Sequence, residues 1–436
     1  MAKVLIISAS FKAGDAITMM NLFSKWDKRD LFLASPSNTP FVDYFASFYY
    51  LGDKECKPFC LFKPWVKLPK SGVLDYTQNV ADKNRPISVI HKLLHYAYKK
   101  LAFPALQYFG LYNRRYSLSV SDEFTKWVNG IMPDIIYSPV SNEAMMKFLM
   151  QCQDAFPSIK YVFHGFDDWC RPAYKVIFRT RYVQKLDNSY KKLISKSDLL
   201  LSTTEMMTKD FRIRYEKEFT TFHNPVDVSI AGDIVTSFSD EKYHIVYIGK
   251  VAWHNATALR NMHDALSIYN ASETKKAVLD VFTSTEKDIL NYFKIKIDDN
   301  IILHHSIPNS EIIPLLRGAD ILFLPITISQ EVVSFAKYSM STKMGEYLFS
   351  GTPLIYCGPN GIAMTEFIEE QKIAFYTTEN GSQPLLNLIK QCVYKQDLAL
   401  QIAEKGKKVA MSLFNKDEIS TDFYHLLSAL TNYKSE

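Results

Sequence analysis

Residues 341–355 read STKMGEYLFSGTPLI, and this stretch is the most informative about the fold. Two hydroxyl residues stand where a helix would begin, Gly351 stands where it would end, and Pro353 opens an apolar run. Glycine is common just past helix C-termini, and proline often follows it. The pattern predicts a helix followed directly by a buried strand, which is the repeating unit of an α/β protein.

The polar residues of this stretch predict a site at the start of the helix. Free backbone N–H groups at a helix N-terminus, here at Ser341 and Thr342, favour a phosphate group. Lys343 adds a full positive charge, and Glu346 lies on the same helix face, where it can accept two hydroxyls such as a ribose diol. An ordinary capping box, with Ser341 or Thr342 as the cap and Glu346 closing the box, explains the same residues. These residues alone do not decide between the two interpretations.

Short β-branched runs alternate with amphipathic segments along the rest of the chain. Near-continuous apolar strands suit parallel sheets that are covered by helices on both faces. The predicted strands are residues 4–8, 31–34, 135–138, 160–164, 199–203, 220–223, 244–248, 278–283, 301–305, 321–325, 353–357 and 373–376. The clearest predicted helices are residues 122–128, 310–316, 343–349 and 384–392, the last with its proline at the first helical position.

A domain boundary is predicted after residues 224–227, because the next stretch is polar and has no hydrophobic periodicity until a new strand starts at His244. Two Rossmann-like domains that face each other across a cleft fit this pattern better than one large sheet. We predict a first domain at residues 1–235, a second at 236–415, and a terminal helix at 416–436 positioned to pack back on the first domain.

The composition excludes several classes of protein. Of 436 residues, 47% are hydrophobic and 22% are charged, which excludes a disordered chain. Six scattered cysteines without a C-x-x-C pair favour a reducing, cytoplasmic location. No apolar run in the first half approaches the roughly 20 residues that span a bilayer, so we predict no integral membrane protein. The sequence has neither a G-x-G-x-x-G nor a Walker A loop, and we expect no dinucleotide cofactor.

Several motifs together resemble those of GT-B glycosyltransferases, in particular the group-4-like retaining families. Residues 346–354 fit the family's donor-nucleotide helix position by position. Further resemblances are residues 3–22, 201–205, 222–227, 247–250 and 318–325, whereas residues 40–130 match nothing in the family. The resemblance implies a transferase that uses a nucleoside-diphosphate sugar, with the donor on the second domain and the acceptor on the first.

The resemblance also assigns roles to residues around the donor. Lys250 follows a strand directly and would reach the diphosphate, as would Lys343, and Trp253 would wall the pocket. Gly14 would belong to a glycine loop that contributes to donor binding. The departing diphosphate would be stabilised by preorganised charge without a metal ion. A solvated loop lysine is the plainer interpretation of Lys250.

His164 and two carboxylates end a predicted buried strand of the first domain. Open α/β sheets bind ligands at the carboxyl ends of their strands, and similar glycosyltransferases have a histidine here, near the donor sugar. We therefore predict a catalytic role for His164 and acceptor contacts for Asp167 and Asp168. A core histidine with a satisfied hydrogen bond remains the alternative.

One position departs from the family pattern. The family often has a second glutamate eight residues before the one at 346, but Tyr338 stands there, so loop backbone at residues 334–339 would have to contact the sugar. A sugar-nucleotide epimerase or hydrolase on the same scaffold, and a non-catalytic glycan-binding relative, remain alternative functions.

Charge is unevenly distributed along the chain. Residues 1–200 contain 28 Lys and Arg against 17 Asp and Glu, whereas the other residues contain 23 against 29. Residues 87–116 combine basic ends with an aromatic middle, which suits contact with an anionic membrane surface near a lipid-linked acceptor. The alternative is that these aromatic residues are core. We expect a glycan or lipid-linked acceptor and no nucleic-acid partner.

Overall fold

The computed structural model describes residues 2–11, 13–58, 68–74, 103–111, 116–172, 175–227, 238 and 241–432. The chain forms two compact units. Unit 1 comprises Met1–Phe222 with Ser420–Glu436, and unit 2 comprises His223–Ile419. The predicted domain boundary at residue 235 and much of the predicted membrane segment, including Lys99, Lys100, Arg114 and Arg115, lie outside the described residues.

Unit 1 is built on an eight-stranded sheet with the spatial order β10-β9-β8-β7-β1-β2-β3-β5. Neighbouring strands are parallel except for the β3–β5 pair, and β4 and β6 form a separate antiparallel pair. The strands are β1 (Val4–Ile7), β2 (Leu31–Ser35), β3 (Ser47–Tyr50), β4 (Cys56–Pro58), β5 (Gly72–Val73), β6 (Tyr116–Leu118), β7 (Ile135–Pro139), β8 (Lys160–Gly165), β9 (Leu199–Ser202) and β10 (Thr220–Thr221).

The helices of unit 1 connect these strands. They are α1 (Ala13–Leu22), α2 (Phe103–Tyr108), α3 (Asp122–Ile131), α4 (Glu143–Ala155), α5 (Arg179–Ile194) and α6 (Glu205–Tyr215), with 3₁₀ turns at Lys28–Asp30 and Val42–Tyr44. The side chains of Ser121, Asn142 and Thr204 cap α3, α4 and α6 by accepting backbone N–H groups. These caps fix where each helix begins.

Unit 2 contains a six-stranded, fully parallel sheet with the order β13-β12-β11-β14-β15-β16. Its strands are β11 (Lys242–Ile248), β12 (Lys276–Thr283), β13 (Ile301–His305), β14 (Ile321–Pro325), β15 (Leu354–Cys357) and β16 (Phe375–Thr377). Numbered from its own first strand, this order is the 3-2-1-4-5-6 order of the Rossmann fold, and unit 1 contains the same order. The predicted α/β class with two Rossmann-like halves is confirmed.

Helices cover both faces of the unit 2 sheet, above two separate apolar clusters. They are α7 (Ala256–Ser272), α8 (Lys287–Tyr292), α9 (Asn309–Gly318), α10 (Gln330–Ala336), α11 (Thr342–Ser350), α12 (Ala363–Gln371), α13 (Ser382–Tyr394) and α14 (Gln396–Leu413). Pro384 is the third residue of α13, so its predicted place at the first position is wrong by two residues.

The last helix, α15 (Lys416–Asn432), contributes its residues from Ser420 onward to unit 1. There, the Phe423 ring contacts Phe23 and Phe222 with ring centroids 5.1 and 5.4 Å apart. Among the described helices, none is both long and apolar enough to cross a membrane.

Candidate functional site

The carboxyl ends of β11 and β14 mark the point at which strand order reverses in unit 2, which is where open α/β sheets bind ligands. The chain leaves β11 at Ile248 and turns at Gly249, which has a φ of +145°. A Cβ atom on Gly249 would lie 2.9 Å from Nζ of Lys343 and nearer still to Cε. The Lys343 side chain therefore crosses directly over Gly249, and a larger residue at this position would force the end of the lysine to move.

The start of α11 carries the polar residues of the quoted stretch. Ser341 is the N-cap, and its Oγ accepts a hydrogen bond of 3.3 Å from the backbone N of Lys343. Thr342 is the first helical residue and is exposed. Among the described residues, the Glu346 carboxylate accepts no hydrogen bond from Ser341 or Thr342. The capping-box interpretation therefore fails for Glu346, whose carboxylate remains available to a ligand.

Lys343 and Glu346 are two half-buried, opposite charges one helical turn apart. Burial lowers the pKa of Lys343, against the opposing effect of Glu346. Burial also raises the pKa of Glu346 to about 7, against the opposing effect of Lys343. Within the described part of the chain, neither side chain makes a hydrogen bond or a close ion pair. Half-buried groups with shifted pKa values and free hydrogen-bonding capacity are typical of ligand sites.

The loop after Gly249 is held in one conformation by its own hydrogen bonds. Tyr247 Oη and Asn255 Nδ2 both donate to the carbonyl oxygen of Lys250, at 2.8 and 2.9 Å. The backbone N of Ala252 donates to Asn255 Oδ1 at 2.9 Å. The Lys250 side chain is exposed at this loop, and no contact joins it to Lys343 among the described residues.

An aromatic cluster lies near Lys343, and the sequence pointed to only one of its members. The rings of Trp253 and Phe335 have centroids 5.2 Å apart and are 40% and 49% exposed. His254 stacks on Phe335 at 5.7 Å, and burial and the nearby Lys343 lower the pKa of His254. Phe335 belongs to α10, and no spacing in the sequence brings it to the loop after β11.

Tyr338 occupies the position of the missing glutamate. Its side chain is only 5% exposed, and Nζ of Lys337 lies 4.9 Å from the centre of its ring. The expected sugar-contacting loop at residues 334–339 is wrong in its first half, because α10 continues to Ala336 and Ser334 Oγ donates to the carbonyl oxygen of Gln330.

His164 lies in the core of unit 1, at the end of β8. It is 1% exposed, and its Nδ1 is 2.8 Å from Tyr137 Oη. Burial lowers the pKa of His164 to about 3, against the opposing effect of the Ser202 backbone. The imidazole is therefore neutral at physiological pH, so His164 does not act as a general acid in an imidazolium form. Its predicted catalytic role stays a prediction.

The two carboxylates after β8 have different surroundings. Asp167 is exposed, whereas Asp168 Oδ2 accepts a hydrogen bond of 2.7 Å from Nη1 of Arg214. Arg171 bridges this pair to Asp187, which accepts from it at 3.1 Å. Asp168 thus belongs to an ion-pair network within unit 1, while the acceptor role predicted for both carboxylates is untested.

Gly14 lies in the first turn of α1, so the prediction that it belongs to a loop is wrong. The two predicted groups of site residues lie in different units: Gly14, His164, Asp167 and Asp168 in unit 1, and Lys250, Trp253, Ser341, Thr342, Lys343 and Glu346 in unit 2. In the described ranges, no group of three or more His, Cys, Asp and Glu side chains could hold a metal ion.

The fold defined by these two units is that of GT-B glycosyltransferases. No family model and no curated protein sequence matches the chain. Solved structures of low sequence identity match it along nearly its whole length, and this likeness shows the fold.

Three of these structures are glycosyltransferases or bind a nucleotide sugar. HepE from Anabaena, in complex with UDP-glucose, has 13% identity and a TM-score of 0.58 over 98% of this chain and 100% of HepE. A glycosyltransferase from Rickettsia africae ESF-5 has 11% identity and a TM-score of 0.63 over 100% of this chain and 99% of its own. WaaG, a glycosyltransferase involved in lipopolysaccharide biosynthesis, has 10% identity and a TM-score of 0.54 over 96% of this chain and 99% of WaaG.

Proposed function

We propose that the protein is a glycosyltransferase that moves a sugar from a nucleoside-diphosphate donor to a glycan or lipid-linked acceptor. The observation that carries the proposal is the position of Lys343. Its side chain crosses over Gly249 at the start of α11 and forms no ion pair with Glu346. The structure of HepE with UDP-glucose supports a UDP-sugar as the first donor to test.

The reaction breaks the bond between the anomeric carbon and the diphosphate oxygen. The acceptor hydroxyl oxygen forms the new bond to that carbon, and its proton passes to the departing diphosphate. Lys343 and the N–H groups at Ser341 and Thr342 would stabilise the charge that develops on this leaving group, with Lys250 as an added cation. Preorganised charge of this kind is often the largest contribution to catalysis.

The remaining assignments concern the rest of the donor and the acceptor. In its charged form the Glu346 carboxylate would accept the two ribose hydroxyls, and Trp253 would wall the donor pocket. Gly14 would lie close to the donor, His164 near its sugar, and Asp167 near the acceptor. These five roles follow from the family resemblance and from residue chemistry.

We further propose that transfer retains the anomeric configuration and needs no metal ion, both by family resemblance. The same resemblance and the few scattered cysteines support a cytoplasmic enzyme of surface polysaccharide synthesis that acts near the membrane. WaaG, a structural neighbour, is involved in lipopolysaccharide biosynthesis, which supports a glycan acceptor.

The test compares Lys343→Ala with Lys405→Ala in UDP-glucose turnover, because Lys405 is an exposed lysine elsewhere in unit 2. Removal of one preorganised donor costs about 2–4 kcal/mol of transition-state stabilisation, roughly 30- to 1,000-fold in kcat/KM. Lys405→Ala should match the wild type. Wild-type turnover by Lys343→Ala would refute the site, and loss of activity in EDTA would refute the metal-free mechanism.

A non-catalytic glycan-binding relative is the second candidate function, and buried Tyr338 favours it because the first glutamate of the family pattern is missing. A protein of this kind would release no nucleotide from any sugar nucleotide, with or without acceptor. An epimerase would convert the donor without any acceptor, so the same assay separates the three functions.

A further inference from the structure

Helix α5 of unit 1 has one buried and one basic face. The buried residues are Leu186, Tyr190, Leu193 and Ile194. The outer residues recur at spacings of three and four, which places them on one side of the helix: Phe178, Arg181, Lys185, Asn188 and Lys192. A helix of 16 residues is about 24 Å long, so this outer face is an extended strip rather than a point.

The outer face of α5 contains a shallow basic groove of about 390 Å³. Its lining residues are Arg181, Gln184, Lys185, Asn188, Ser189 and Lys192. Lys185 is paired with Glu143 at 2.6 Å, whereas no ion pair joins Arg181 or Lys192 to any described residue. The groove therefore presents unneutralised cations beside amide and hydroxyl groups, which is a suitable surface for phosphate groups.

Exposed aromatic rings continue this strip at the N-terminal end of α5. Phe178, the N-cap residue, is 71% exposed and has a φ of +53°, a conformation that is unfavourable for a bulky residue. The backbone N of Ile177 donates to the carbonyl oxygen of Tyr108 at 2.6 Å, which brings the end of α2 next to Phe178. Tyr108 and its neighbour Phe109 are 48% and 57% exposed.

The combination of aromatic rings and cations identifies the partner better than either does alone. A duplex nucleic acid or an acidic protein would satisfy the cations, but a duplex keeps its bases stacked inside, and neither partner offers an apolar medium to the exposed rings of Tyr108, Phe109 and Phe178. The headgroup region of an anionic bilayer provides both phosphate groups and an apolar layer beneath them. Contiguous exposed apolar residues with a polar rim are also typical of membrane contacts.

We propose that the outer face of α5, together with Tyr108, Phe109 and Phe178, docks unit 1 on an anionic lipid bilayer. The cations of the groove lie against the headgroup phosphates, and the three rings insert among the headgroups. The surface itself is independent of donor chemistry. The proposal rests on the proposed function only in one respect: docking would bring the enzyme to a lipid-linked acceptor.

The test measures co-sedimentation of the full chain with phosphatidylcholine vesicles, with and without phosphatidylglycerol and in the absence of sugar nucleotide. The wild type should sediment only with the anionic vesicles and should be released as salt exceeds about 0.1 M, where screening acts over about 10 Å. Each cation near anionic lipid contributes about fivefold to partitioning, so Arg181→Gln with Lys192→Gln should weaken binding roughly 25-fold.

A matched control removes two exposed lysines of unit 2, by Lys287→Gln with Lys405→Gln, and should leave binding unchanged. Lys185 is kept, because its loss would remove one of the two lysine partners of the buried Glu143 carboxylate. Phe178→Asn keeps a residue that tolerates positive φ and removes the ring, and it should weaken binding to anionic vesicles at low salt.

Sedimentation of the wild type with neither vesicle would overturn the proposal, as would equal binding by the Arg181/Lys192 variant and its control. Thermal unfolding and UDP-glucose affinity are measured on every variant; donor affinity should equal the wild-type value, and no variant should unfold at a lower temperature than the wild type. Loss of vesicle binding with donor affinity intact separates a failure of docking from a failure of the proposed function.

Discussion

The close approach of Lys343 to Gly249 leads to a prediction with a defined magnitude. Gly249→Ala would place a methyl group 2.9 Å from Nζ of Lys343 and nearer still to Cε, so the end of the lysine must move. Because Lys343 sits at the start of α11, this movement takes its charge away from the helix N-terminus that we propose binds the diphosphate.

Two separate effects contribute to the expected loss. A side chain at a φ of +145° costs roughly 1–3 kcal/mol in the free energy of unfolding. Displacement of Lys343 costs up to the full contribution of one preorganised group, about 2–4 kcal/mol in the transition state, or roughly 30- to 1,000-fold in kcat/KM. The first effect appears in stability and the second in activity.

A glycine elsewhere in unit 2 separates the two effects. Gly381 has a φ of +120°, and a Cβ there would meet no atom within 4 Å. Gly381→Ala should therefore lower the free energy of unfolding in urea as Gly249→Ala does, yet leave UDP-glucose turnover unchanged.

A double-mutant cycle then tests whether the loss acts through Lys343. Once Lys343→Ala has removed the colliding side chain, Gly249→Ala should cause little further loss of kcat/KM, because the two changes act on one group. Additive losses in the double variant, or wild-type turnover by Gly249→Ala, would refute the reasoning.

Two further predictions concern titration and the ion-pair network. Burial raises the pKa of Glu346 from 4.5 to about 7 in the folded state, so the free energy of unfolding falls as pH rises from 4.5 through 7. In urea unfolding, Glu346→Gln should lack this fall. An equal dependence of the free energy of unfolding on pH in both proteins would contradict the shift. Asp168→Asn leaves Arg214 without its carboxylate partner and should lower the free energy of unfolding by about 3 kcal/mol in urea titration. A change confined to the KM for the acceptor would instead support the acceptor role of Asp168.

Much of the fold was predictable because buried parallel strands have a strong local signal. The predicted strands at residues 244–248 and 301–305 coincide with β11 and β13 to within two residues, and the helix of the quoted stretch differs from α11 by one residue at each end. The short strands β3 to β6 were not predicted. They have two to four residues each, and pairing with distant partners rather than local pattern determines them.

The candidate site was predictable only where its residues lie on one helix. Lys343 and Glu346 share a face of α11 because of helical spacing, which is a local property. Gly249 as the partner of Lys343, and Phe335 as the partner of Trp253, come from different strands and helices. Their distances depend on how α10 and α11 pack against β11, and no single segment of sequence contains that information.

The sequence by itself determined the α/β class, the helix that follows Ser341 and the charges on that helix, because periodicity and capping are properties of neighbouring residues. Only the tertiary structure decided that Glu346 closes no capping box, that Asp168 is held by Arg214, and that His164 is buried and neutral. It also decided that Phe178 and the cations of α5 form one exposed strip. Burial and pairing depend on segments that are distant in sequence, and these set both the pKa of a group and its access to a ligand.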